Sequence, residues 1–84
     1  MHQEYNGNLK EVSKLLSELS EDTTLPKNVK IKITRTISVL KEEKEASIRI
    51  HRALNELGEI ADDANIQPYT RTQIWNVVSL LEKL

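Results

Sequence analysis

Cysteine is absent from the 84 residues, so neither a disulfide framework nor thiolate chemistry is available, a composition that suits a reducing cytoplasm and many secreted bundles alike. Glycine and proline are scarce, two of each, which favours long uninterrupted helices over a sheet with many turns. No apolar run approaches the roughly 18 residues of a membrane span. The amino terminus lacks the basic-then-apolar order of a signal peptide, and the chain reads as soluble and cytoplasmic. Charge of one sign is missing too: 12 basic and 13 acidic residues leave a formal charge of −1. That gives no long-range field to gather nucleic acid or anionic lipid. A chain this short reads as one domain, residues 1–84, burying only about 60 to 65 per cent of the surface it exposes when unfolded.

What is present is a repeat. Leu16-Ser-Glu-Leu-Ser-Glu-Asp22 returns 41 positions later, without a gap, as Leu57-Gly-Glu-Ile-Ala-Asp-Asp63. The register extends further: Tyr5, Leu9, Val12, Leu16 and Leu19 fall on Ala46, Ile50, Ala53, Leu57 and Ile60. Leu25, Ile33, Ile37, Ser38 and Leu40 fall on Ile66, Ile74, Val78, Ser79 and Leu81. Two amphipathic helices in phase always look somewhat alike, but the matched Glu18/Glu59 and Asp22/Asp63 are polar and are not forced by the apolar pattern. Each copy, about 5–43 and 46–84, reads as a unit that cannot bury its face without its twin.

In chain order, Gly7-Asn8 resembles a helix start, with Asn8 able to cap the amides that follow. Leu9, Val12, Leu15, Leu16 and Leu19 then recur at helical steps to about Glu21; if the helix begins before Gly7, Tyr5 adds a turn to that stripe. Pro26 breaks the chain and starts a second helix, with Asp22, Thr23 and Thr24 placed to accept from its free amides. In the segment from Lys27 to about Lys41, Val29, Ile31 and Ile33 alternate with polar residues in a strand pattern. The corresponding stretch in the second copy lacks that alternation. Both copies share a helical stripe, Val29, Ile33, Ile37 and Leu40 against Thr70, Ile74, Val78 and Leu81, and both are predicted helical. A turn follows near Glu42 to Glu45, then a helix from about Ala46 to Ala61. Its Gly58 marks either a close helix crossing or simple tolerance, since glycine costs close to 1 kcal/mol in a helix interior. A turn from Asp62 to Pro68 leads to the last helix, Tyr69 to Leu84.

Four amphipathic helices with short connections predict an all-α fold, an up-and-down four-helix bundle built from two duplicated hairpins. The aspartate-turn-basic pattern also resembles HEAT-type repeats, yet two copies are too few for a solenoid core. The hairpins should therefore close on each other, within one chain or between two.

For chemistry the residues offer little. His2 lies near the terminus, and His51 has no histidine or acidic partner three or four residues away on its helix. The expected inward positions are aliphatic, where a di-metal bundle needs carboxylates and a Glu-x-x-His pair. No phosphate loop, nucleophile elbow or triad spacing is present. No metal, cofactor or catalytic activity is expected. Glu18 and Glu59 read as caps or salt-bridge partners, the alternative being a facing acid-base or metal-binding pair. Asp22 and Asp63 read as helix caps.

A basic cluster, Lys27, Lys30, Lys32 and Arg35, with Arg49, His51 and Arg52 on the next helix, lacks interleaved aromatics and reads as a solvated face; nucleic-acid association is the alternative function. The leading function is a protein-interaction or self-associating module, a homodimer being the simplest form. Ile31, Val39 and Ile48 lie off the core stripes, and Trp75 is either a core-edge filler or an interface anchor. Arg71 beside it is placed to stack on the ring or to pair with an acid.

Glu18-Leu-Ser-Glu-Asp-Thr-Thr-Leu-Pro-Lys-Asn28, with Asp63 and Thr70-Arg-Thr-Gln-Ile-Trp-Asn-Val-Val-Ser-Leu-Leu-Glu82, resembles the archaeal uncharacterised protein family 0147 over essentially the whole chain. Its most distinctive part is Thr-Arg-Thr-x-Ile-Trp. The resemblance implies a small helical bundle of archaeal source and supplies no activity. One departure is the second-turn proline, expected at Gln67 and found at Pro68, which bears on that turn's geometry.

Overall fold

The computed structural model describes the backbone of residues 2–84 and the side chains of residues 9–84. Four helices follow in order, α1 (His2–Ser20), α2 (Lys27–Leu40), α3 (Ala46–Ala61) and α4 (Pro68–Glu82), with no strand among the described residues. The connections are too short for anything but antiparallel neighbours. α2 packs on α1 and α3, and α4 packs on α3 and α1. The four helices thus form a closed up-and-down bundle, with α1 opposite α3 and α2 opposite α4 across the core. An open helical stack would leave α1 and α4 apart; here they touch, and the two hairpins close within one chain.

The ambiguous segment is a helix because of where its alternating residues go. Val29 and Ile33 are fully buried, while Ile31 is 52% exposed. In a strand all three would share a face; in a helix residue i+2 turns away while i and i+4 stay together. α1 starts at His2, so Gly7 and Asn8 lie inside it and Asn8 is not its cap. One interior glycine lowers helix propensity without ending the helix. The side chains of His2 and Tyr5 lie outside the described residues.

The repeat is visible in burial. Val12 and Ala53, Leu16 and Leu57, Ile33 and Ile74, Leu40 and Leu81 are buried in matched pairs. Val29 matches Thr70, and Thr36 matches Val77, again all buried. Together with Ile60, Ile66 and Val78 most of these residues form one contiguous core, in which each fully buried leucine or isoleucine contributes about 1.5–3 kcal/mol. Gly58 marks no close crossing, since a Cβ built there meets nothing within 4 Å.

The two inter-helix turns share a construction that differs from the expected one. Asp22 Oδ1 accepts from the Thr24 amide at 2.8 Å and the Thr24 hydroxyl at 2.7 Å, and Asp63 Oδ1 accepts from the Asn65 amide at 2.8 Å. Both aspartates fold Asx turns and cap no helix. They sit too many residues before α2 and α4 to reach the first free amides. The N-caps are Pro26 and Gln67, in similar extended backbone (φ −57°, ψ 146° and φ −71°, ψ 152°) and without side-chain caps. Moving the second proline from 67 to 68 therefore leaves the turn unchanged: Pro68 occupies the first helical position, where its missing donor costs nothing.

Candidate functional site

Of the five side chains singled out as partner contacts, three are at the surface. Trp75 is 48%, Ile31 52% and Ile48 47% exposed. Ile31 on α2 and Trp75 on α4 lie on helices that face each other across the core, so they do not belong to one patch. Val39 is not a surface residue: only 4% of it is exposed. It continues the row Asn28, Lys32, Arg35 along the side of α2 that meets α3. Arg71 is half-buried and already engaged. Its Nε donates to the Ala61 carbonyl at 2.9 Å and its terminal nitrogen to the Asp63 carbonyl at 3.0 Å. It pins the carboxyl end of α3, where unpaired carbonyls and the negative end of the helix dipole favour a cation; its described hydrogen bonds go to main chain and to neither an acid nor the indole.

The basic cluster is partly neutralised from within, Lys27 and Lys30 being exposed and in no described ion pair. Lys32 Nζ lies 3.7 Å from Glu59, Arg35 lies 3.8 Å from Glu56, and Arg52 donates to Glu42 at 2.6 Å. Arg49 donates to the Leu40 carbonyl at 2.8 Å, closing the end of α2 as Arg71 closes that of α3. His51 is exposed. Among the described residues no group of three or more His, Cys, Asp or Glu is placed to hold a metal ion, and no helix is long and apolar enough to cross a membrane.

Glu18 and Glu59 do not face each other. Each looks across the groove to the next helix, and there the two copies diverge. Along α2 and α3, Asn28 donates to Asp63 at 3.2 Å, Lys32 meets Glu59 and Arg35 meets Glu56. Shifting each residue by the repeat gives the other groove, between α4 and α1: Tyr69 opposite Asp22, Gln73 opposite Glu18, Asn76 opposite Leu15. No hydrogen bond or ion pair joins α1 to α4 among the described side chains. Gln73 turns back along its own helix to donate to the Tyr69 hydroxyl at 2.8 Å. The result is a groove of about 340 Å³ lined by Leu15, Glu18, Leu19, Asp22, Tyr69 and Gln73. The Thr24 hydroxyl, and secondarily its amide, hold the Asp22 carboxyl below the usual carboxylate range, so this wall is anionic.

Tyr69, 69% exposed, escaped the sequence reading although a signal existed: it is the aromatic counterpart of the polar Asn28. The chemistry the groove offers is a pair of carboxylates, Glu18 on the last turn of α1 and Asp22 in the turn that follows, an aliphatic floor and an aromatic rim.

The comparisons with known proteins agree with this architecture. A UPF0147 protein of Methanocaldococcus jannaschii is 42% identical over 77 residues, 90% of this chain and 83% of that one. One of Thermoplasma volcanium is 40% identical over 75 residues, 88% of this chain and 84% of that one. The crystal structure of a UPF0147 protein from Thermoplasma acidophilum superposes with a TM-score of 0.88 at 36% identity, covering 94% of both chains. That of unknown function protein MMP1188 gives 0.86 at 40% identity, covering 92% of this chain and 89% of the other. The model of the uncharacterised protein family UPF0147 matches residues 1–84, and the chain belongs to that family.

Proposed function

We propose that this chain is a non-catalytic protein-interaction module of the cytoplasm, able to self-associate. The observation that carries this reading is the placement of its few aromatics. The sequence has one tryptophan, two tyrosines and no phenylalanine, and Trp75 and Tyr69 are both about half exposed or more while the described core is aliphatic. A large ring left half in water gains little for folding. It is what a partner's surface uses as an anchor. Nucleic acid is the less favoured partner because Lys32, Arg35 and Arg52 already face carboxylates, which leaves Lys27 and Lys30, with no aromatic between them, as the exposed cations of α2 free to meet phosphate among the described residues.

Trp75 is the sole indole, so one measurement reads both mass and burial. Static light scattering and tryptophan emission are followed together over a concentration series. A mass rising above the 9.7 kDa of one chain with a blue-shifting emission, both abolished in Trp75→Ala at unchanged helicity, is the expected result. A mass fixed at one chain with a fully hydrated indole at every concentration would overturn self-association. A salt-dependent gel shift with tRNA or duplex DNA tests the alternative, and retardation at physiological salt would favour it.

A further inference from the structure

We infer that the groove between α1 and α4 is a docking site for a lysine side chain on a basic segment of a partner protein. This deepens the interaction reading and rests on it. The internal repeat supplies the control that a single groove would lack. Glu18 and Asp22 on one side and Glu59 and Asp63 on the other are the same repeat positions, at the end of α1 or α3 and in the turn that follows. In the second copy these carboxylates are answered from the facing helix, Glu59 by the Lys32 ammonium at 3.7 Å and Asp63 by the Asn28 amide at 3.2 Å. In the first copy the answering positions are Gln73 and Tyr69, which bond to each other.

The chain therefore shows, within itself, a filled and an open form of the same carboxylate pair, the apolar floor of Leu15 and Leu19 belonging to the open one alone, since their counterparts are Glu56 and the fully buried Ile60. In the filled form the occupant is a lysine. The open form keeps two acids four residues apart, Glu18 on the last turn of α1 and Asp22 just beyond it, with no cation placed between them among the described residues. It also keeps the space, about 340 Å³ floored by Leu15 and Leu19. A lysine fits both halves of that description. Its four-carbon stem lies along the leucines while the ammonium reaches the carboxylates, and Tyr69 offers a ring face at the rim. Asp22 accepts two hydrogen bonds from Thr24 that favour its ionised form, so its end of the wall is anionic at neutral pH.

The test uses the full chain and a short peptide of alternating lysine and leucine, with an analogue carrying glutamine in place of each lysine, titrated by calorimetry at low salt. The lysine peptide should bind at one site per chain, at least about tenfold more tightly than the analogue. Gln73→Lys places in the first groove the residue that already occupies the second, and should reduce binding to the level of the analogue. Glu18→Gln should weaken it by at least about fivefold. Lys32→Gln leaves the first groove untouched and should leave the stoichiometry at one site, since the second groove has Glu56 and the buried Ile60 where the first has Leu15 and Leu19. All three substituted positions lie at or near the surface, so unchanged melting curves are expected and serve as the folding control. Equal binding of both peptides, or undiminished binding to Gln73→Lys, would overturn the assignment. A chain that still self-associates through Trp75 while ignoring the lysine peptide would refute this site alone and leave the interaction reading standing.

Discussion

Removing the Arg71 guanidinium should destabilise the bundle, whatever it does to partners. Arg71 is held by two bonds to main-chain carbonyls, Ala61 at 2.9 Å and Asp63 at 3.0 Å, in a half-buried setting. A hydrogen bond from a charged donor is worth about 1.5–3 kcal/mol when desolvated. Water can replace part of each bond at this exposure, so about 1 kcal/mol apiece is the fitting share, plus the packing of the aliphatic stem. Arg71→Ala should therefore cost about 2–3 kcal/mol. A chain of this size has roughly 4–13 kcal/mol of stability in all, and each kcal/mol moves Tm by about 4–8 °C. The melting midpoint followed by circular dichroism should fall by about 10–20 °C. Arg71→Lys should recover only part of that, because one ammonium cannot span two carbonyls as the planar fork does. A loss under about 0.5 kcal/mol, accompanied by a change in molar mass, would refute the reasoning and return Arg71 to the interface.

Three further outcomes follow from single sites. Gly58→Ala should gain about 0.5–1 kcal/mol by urea unfolding, since the added methyl meets nothing and only the glycine's propensity cost is removed; a loss would mean a hidden close contact. Thr36 is fully buried, with its hydroxyl bonded to the Lys32 carbonyl at 2.8 Å, and its repeat counterpart is the buried Val77. Thr36→Val should stay within about 1 kcal/mol of the parent, one hydrogen bond lost against one methyl buried, and a larger loss would show the hydroxyl to be indispensable. Asp22 has its folded-state pKa lowered, first by the Thr24 hydroxyl and then by the Thr24 amide. Its contribution to stability is therefore full at neutral pH and is lost as pH falls from the ordinary carboxylate range through the lowered value. Thr24→Ala should flatten that acid limb of the stability–pH curve, and superimposable limbs would contradict it.

The sequence made the bundle legible because aliphatic residues recur at a helical spacing twice over, and the second copy resolves what the first leaves open. The strand-like Val29-Lys-Ile-Lys-Ile33 is paired with a stretch that has no such alternation. Polar logic was harder to read. Val39 looked spare because the row it completes, Asn28, Lys32 and Arg35, is otherwise polar, and an apolar stripe is the only helix face that hydropathy reveals. Arg71 reads from sequence as a partner for the indole or an acid because its actual acceptors are main-chain carbonyls, which no side-chain pattern announces. Asp22 and Asp63 read as helix caps from sequence, and whether such an aspartate caps a helix or folds the turn before it depends on a spacing of a few residues. The groove between α1 and α4 was out of reach until the helices had partners. Once α4 is known to face α1, the repeat alone shows that Gln73 stands where Lys32 does.

Closure of the two hairpins on each other inside one chain underlies both the groove and the internal comparison, and isotope-filtered nuclear Overhauser spectroscopy tests it most directly. In a uniformly labelled sample the methyls of the buried Leu16 on α1 should show cross-peaks to methyls of the buried α4 residues Ile74, Val77 and Val78, with which it shares the core. In a mixture of labelled and unlabelled chains, filtered for contacts between chains, those cross-peaks should vanish. Their persistence in the filtered spectrum would mean that the hairpins are exchanged between two chains, and their absence from both would mean that α1 and α4 do not meet.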